Sequence, residues 1–313
     1  MKRIVSLGFV FLFLFSCKSY VDSKPEEAFS KKGYILYFNK INEADSLFLV
    51  KEYKKSYTIL DSVFKEYEPL NIEGFYEYYT YIASAFASGN FINGRDYVKN
   101  SFLKYGAIKS HFTTDSILNL ALLSSKYTDK EIDNFINRYN SKLNLKLRNE
   151  VEEMIKIDQF VRNNRNNFDS NKLDSVNEIN TKKIRKIFDD FGYPSYKLIG
   201  YSSYNDRDIN LSAVFLHTDI AFKKEYLLPK LLEFLKEGDC EPYIYSTVYD
   251  RALLDESNFT GKQLYGQIKG SGMKLINTNK IDSIRRTIGL PSLNYDRWRL
   301  KKQFGGENPY INN

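Results

Sequence analysis

The chain has 313 residues, 42% of them hydrophobic, which is enough for about two ordinary domains with cores of their own. Its formal charge is +7, but basic residues alternate with acidic ones, as in KKEYLLPKLLEFLKEGD, so it has no concentrated basic face of the kind nucleic acid requires. Two histidines and no spare cysteine pair leave no zinc set without carboxylates, and H-E-x-x-H, G-x-S-x-G, a phosphate-binding glycine loop and a Rossmann fingerprint are all missing; no cofactor is expected.

Residues 1–16 begin with Lys2 and Arg3, continue through an apolar run to Phe15 and close at Ser16, which is the layout of a secretory signal too short to span a bilayer. Leu14-Phe15-Ser16-Cys17 resembles a bacterial lipobox. That resemblance implies lipid on Cys17, and more than one acyl chain there anchors a protein stably. The expected address is the bacterial cell envelope, at the outer membrane, facing either the periplasm or the exterior. With Cys17 acylated, Cys240 has no partner, and folding rests on packing alone. Residues 17–31 are polar, carry one proline and read as a tether.

From 32 to 145 the period is helical. INEADSLFLVKEYKKSYTILDSVFKEYEP places Ala44, Leu47, Tyr53, Ser56, Leu60 and Val63 on helix faces, and Pro69 ends the pattern. A second stretch repeats it, with Phe91, Gly94, Val98 and Ser101 standing where Tyr53, Ser56, Leu60 and Val63 stood, and NLALLSSKYTDKEIDNFINRYN is a degenerate third copy. The pattern resembles tetratricopeptide repeats, and such an array implies a concave face for a protein or peptide partner; a plain helical bundle is the alternative. The tyrosines of FYEYYTY suit either a groove or a core.

The second half, 146–300, is also mostly helical. LKLRNEVEEMIKIDQFVRNN, NTKKIRKIFDDFGYP, KKEYLLPKLLEFLKEGD and EPYIYSTVYDRALLDES are amphipathic helices, and DINLSAVFLHTDIA is a buried one. QLYGQIKGSGMKLIN switches to short alternating runs around Gly270-Ser271-Gly272, predicting a β-hairpin. KIDSIRRTIGL is a last helix, and 301–313 is an irregular tail. The expected fold is therefore mostly α: a repeat-like N-terminal domain and a helical C-terminal domain with one small hairpin.

Several polar fragments in this half fall into a recognisable order. They are Asp158-Gln159 with Arg162, Asn180-Thr181, Gly192-Tyr193-Pro194, His217-Thr218-Asp219, Asp250-Arg251, Gln263-Leu264-Tyr265-Gly266, and Arg285 with Gly289-Leu290. Together they resemble an uncharacterised bacterial domain family with no assigned activity, and the resemblance implies a mostly helical domain with a shared polar pocket. The chain departs from that pattern at Leu216, where the family has glutamine, and at Gln267, which falls one place before the family's glutamine. If the hairpin strand keeps register, the two positions point to opposite faces, and the pocket loses donors.

These fragments supply the candidate residues. His217 with Asp219 or Asp250 can form a base oriented by a carboxylate, with Arg251 or Arg285 to neutralise an anion and Tyr265 close by. Asp158, Arg162, Gln263 and Arg285 are candidate binding residues. The alternative reading makes His217 a helix C-cap, Asp219 the N-cap of the next helix, and Asp250-Arg251 a buried ion pair. The chain is expected to be a lipid-anchored binding or scaffolding module, with membrane contact through Cys17, a protein or peptide partner at the N-terminal helices and no nucleic acid. The competing expectation is a hydrolytic enzyme built on His217.

Overall fold

Two successive helix hairpins open the structure, a computed structural model that describes residues 33–70, 75–163, 170–201, 204, 207, 209–268 and 274–304. The expected signal, Cys17, the tether, Gly270-Ser271-Gly272 and residues 305–313 lie outside the described residues. Helices α1 (Ile35–Leu49) and α2 (Tyr53–Glu66) form the first hairpin, and α3 (Tyr76–Ala87) and α4 (Gly94–Leu103) the second. Ser56 and Gly94, the small residues of the sequence repeat, sit where the helices approach closely. Ser56 Oγ donates to Ala44 O at 2.9 Å, and a Cβ on Gly94 would come within 2.9 Å of the Phe86 ring.

Helices α5 (Lys109–Thr113), α6 (Ser116–Ser125) and α7 (Asp129–Asn140) close this half around Leu60, Ile82, Val98, Phe102, Phe112 and Leu118. Each apolar side chain so buried contributes about 1.5–3 kcal/mol. Tyr78 and Tyr81 of FYEYYTY are part of that core. Their neighbours spend their hydroxyls on carboxylates, Tyr76 on Asp45 at 2.6 Å and Tyr79 on Asp115 at 3.0 Å. These tyrosines are core and rim.

The second half begins with the long pair α8 (Leu145–Asn163) and α9 (Ser170–Phe191), and α10 (Tyr196–Ile199) follows. The expected buried helix over 208–221 is two short pieces, α11 (Ser212–Leu216) and α12 (Ile220–Phe222), broken at His217-Thr218-Asp219. Asp219 causes the break, because its carboxylate accepts from Phe222 N at 2.8 Å and restarts the helix as an N-cap.

The chain then runs through a π-helical turn, Lys223–Leu227, into α13 (Leu228–Glu237). Pro229 explains the widened turn: it lacks an N–H and its ring crowds the carbonyl one turn back, which a π-turn accommodates. Gly238, at φ +85°, ends α13 as the sequence indicates, and α14 (Pro242–Glu256) starts at its proline.

The β element differs from the expected hairpin. Strands β1 (Lys262–Gln263) and β2 (Lys274–Leu275) pair in parallel, Lys262 with Lys274 and Gln263 with Leu275. A tight turn joins only antiparallel strands, so this parallel pair is not a hairpin. Gln267 lies beyond the two-residue strand, so strand register does not set its direction. Its amide nitrogen is buried without a partner among the described residues.

A 3-10 turn (Thr278–Lys280) leads to α15 (Ile281–Arg286), and α16 (Tyr295–Phe304) occupies ground read from sequence as the run-up to an irregular tail. Helix α16 packs on α1, where Tyr295 donates its hydroxyl to buried Asp45 and Arg299 lies 3.3 Å from the same carboxylate. The described residues form one compact unit. Its halves are also joined by Asn39 donating to Arg286 O (3.2 Å), Asn42 to Gly289 O (3.1 Å) and Tyr34 N to Lys236 O (3.1 Å). No helix among the described residues is long and apolar enough to cross a membrane.

Candidate functional site

Helix α8 sets Asp158 and Arg162 one turn apart on the same face, and Arg162 stands in the last turn, where a cation suits the helix dipole. Asp158 is fully buried, a position an ionised carboxylate holds only with several donors around it. It has three. Arg162 donates through Nε at 3.2 and 3.3 Å and through Nη2 at 3.2 Å. Gln159 Nε2 donates at 3.0 Å, and His217 Nδ1 lies 2.8 Å away. Arg162 Nη2 also donates to Asn177 Oδ1 on α9. Burial pushes the Asp158 carboxyl up, but the hydrogen bonds and charges of His217 and Arg162 outweigh it and hold the group below the ordinary carboxylate range.

An ionised Asp158 fixes the imidazole. A carboxylate only accepts, so Nδ1 carries the proton that faces it, and whenever the ring is neutral the free lone pair is on Nε2. His217 is about one-fifth exposed, 22% of its side chain, and its Nε2 has no hydrogen-bond partner among the described residues. Arg162 is similarly exposed at 23%, and its Nη1 likewise has no partner among the described residues. Asn180 stands one turn along α9 from Asn177 and is 4% exposed, and its Nδ2 has no partner among the described residues. Among the described residues an acceptor-capable nitrogen and a guanidinium donor thus stand unsatisfied on two partners of one saturated carboxylate, and Asn180 lies one turn along α9 from the asparagine that Arg162 bonds. Such a set can hold a small group with acceptor oxygens, and Nε2 can take a proton from it or from water.

The other candidate residues are elsewhere. Asp219, expected as a partner of His217, caps α12. Asp250, the other expected partner, is fully buried and accepts backbone N–H groups from Leu264 (2.7 Å), Tyr265 (3.0 Å) and Gln267 (2.9 Å). Burial raises its carboxyl despite these donors. The expected Asp250–Arg251 ion pair does not form, because these adjacent helical residues point apart. Arg251 pairs with Asp255 at 2.7 Å and lies over the Phe259 ring at 5.0 Å.

Gln263 closes its own loop, donating to Ile268 O at 2.7 Å and accepting from Ile268 N at 2.8 Å. Buried Arg285 donates to Pro291 O (2.7 Å) and Tyr265 O (2.6 Å), and Tyr265 is itself buried. Asp250, Gln263, Tyr265 and Arg285 therefore form a structural staple that fixes residues 263–268 and 291. Of the resemblance fragments, the structure joins Asp158, Gln159, Arg162 and His217.

Three features escaped the sequence. Asn177 is one asparagine among many, and nothing marks it. Asp158 is the carboxylate of His217, although 59 residues separate them. Lys223 is 1% exposed in the π-turn and bridges Thr218 O (2.5 Å) and Asp255 Oδ2 (2.8 Å), so it pins the segment after His217. Burial lowers its ammonium pKa. The second histidine, His111, stacks on Phe75 with ring centroids 5.4 Å apart, accepts from Ile108 N and is shifted down by burial, which is a structural role. No group of metal-ligating side chains occurs among the described residues. No protein family, curated protein or solved structure matches the chain.

Proposed function

We propose that this protein is a binding module that holds a small polar ligand with acceptor oxygens for Arg162 and Asn180 and an O–H or N–H donor for His217 Nε2, such as a hydroxy-carboxylate, a hydrogen phosphate or an amide, at the His217–Asp158–Arg162 site. One observation carries the reading: a fully buried carboxylate is saturated by three donors, while His217 Nε2, Arg162 Nη1 and Asn180 Nδ2 have no partner among the described residues. Placing such groups costs free energy that a ligand recovers by pairing them. The same proposal keeps the chain lipid-anchored through Cys17 at the outer membrane, with the N-terminal helix hairpins free to meet a protein or peptide.

A thermal-shift and calorimetric screen of small carboxylates, phosphates and amides tests it. Wild type is expected to gain stability from one class, and His217→Ala and Asn180→Ala are expected to bind that class at least tenfold more weakly while staying folded. Wild-type binding that both variants retain unchanged would refute the site.

A second reading, hydrolysis, is favoured by the orientation of the imidazole, since Nδ1 held by Asp158 leaves Nε2 placed to activate water. The carboxylate in that reading is Asp158 rather than Asp219 or Asp250. A folded His217→Ala protein that loses turnover of a screened ester or amide substrate supports it; equal turnover rejects it.

A further inference from the structure

A second site lies between α10, the C-terminal end of α13 and the bottom of the N-terminal hairpins, apart from His217. It is a cleft of about 110 Å³ walled by tyrosines, among them Tyr34, Tyr105, Tyr139 and Tyr201. A buried water needs roughly 10–15 Å³ of such space, so the cleft suits a molecule of ring size rather than a lone ion.

The walls are rigid. A Cβ on Gly238 would come within 2.6 Å of the Tyr34 ring, and one on Gly106 within 2.7 Å of Tyr201 and 2.8 Å of Tyr139, so bare backbone presses each ring into place. Tyr196 stacks behind Tyr201 at 5.1 Å.

The hydroxyls are unspent, unlike those of Tyr76, Tyr79 and Tyr81 in the core. Those of Tyr34, Tyr105, Tyr139 and Tyr201 have no hydrogen-bond partner among the described residues, although Tyr201 is only 7% exposed. Asp239 and Lys104 add an unpaired carboxylate and an unpaired ammonium at the rim, while Lys197 is engaged by Glu68 at 3.2 Å. Glu237 and Glu241 also line the cleft, so acids outnumber the two lysines, and an anionic ligand is disfavoured.

We propose that this cleft is a binding site for a neutral carbohydrate. A sugar ring presents C–H faces that lie flat on aromatic rings, and each of its hydroxyls both donates and accepts, which matches tyrosine hydroxyls that do the same. The wall of rings supplies contact area and the hydroxyl set supplies direction. This site goes beyond the function proposed above and does not depend on it.

The test is a broad glycan array probed with the full chain, followed by calorimetry with the free sugar that binds best. Wild type is expected to select neutral glycans. Tyr139→Phe with Tyr201→Phe, which keeps both rings and removes two hydroxyls, is expected to lose at least tenfold in affinity. Should that pair unfold the chain, Asp239→Asn at the exposed rim is expected to weaken the same sugar severalfold. Binding to no glycan, selection of charged glycans only, or unchanged affinity in the folded variants would overturn the proposal.

Discussion

At the scale of single residues, the account turns on a histidine whose carboxylate is far away in sequence. Removing its ring, His217→Ala, deletes one charge-assisted hydrogen bond to a carboxylate that keeps Arg162 and Gln159. The expected loss is about 2 kcal/mol of stability by urea denaturation, without unfolding. The acid response follows from Asp158. Its folded-state carboxyl sits below the ordinary range, near 3.9 for an unfolded aspartate, so its contribution to stability is complete above about pH 4 and is lost as the pH falls through the folded value. Urea midpoints measured against pH should fall more steeply below about pH 4 in wild type than in Asp158→Asn. Asp158, Arg162 and His217 were visible as candidates because they fall within the polar fragments that carry the family resemblance. Sequence alone could not join them, because a contact across 59 residues is set by how α8 and α11 pack, and nearer acids at 219 and 250 looked equally suitable.

At the scale of elements, helical period and end signals were enough to find most helices. Gly192, Gly238, Pro194 and Pro242 punctuate the chain where the structure turns. The broken helix at Asp219 has a local cause, its own N-cap, whereas the hairpin and the tail were misread because each depended on a partner distant in sequence. The parallel pairing of β1 and β2 takes its geometry from α14, whose Asp250 gathers the backbone of residues 264–267. Asp250→Ala leaves three N–H groups without their acceptor, each costing about 1–3 kcal/mol if buried, so a loss of at least about 3 kcal/mol is expected by chemical denaturation. Asp250→Asn, which keeps one acceptor oxygen, should lose less. Helix α16 has little amphipathic signal, and what orders it is Asp45 on α1, a residue 250 positions away from Tyr295.

At the scale of the whole molecule, the two halves read from sequence share one compact unit. Tyr34, Asn39, Asn42 and Asp45 of α1 and the residue before it all bond to residues beyond 235. The halves should therefore unfold together. The single tryptophan, Trp298, lies in α16 against this junction, and its fluorescence is expected to share one denaturation midpoint with far-UV circular dichroism, which reports all helices. Two separated midpoints would show that the halves fold independently and that the junction contributes little.

The central claim is that Asp158 holds the His217 imidazole with its proton on Nδ1 and Nε2 open. Nitrogen-15 NMR of the two histidine rings measures this directly, with His111→Gln assigning the signals. The account predicts the Nδ1–H tautomer at neutral pH for His217 and its loss in Asp158→Asn. A His217 ring protonated on Nε2, or a tautomer unchanged by Asp158→Asn, would contradict it.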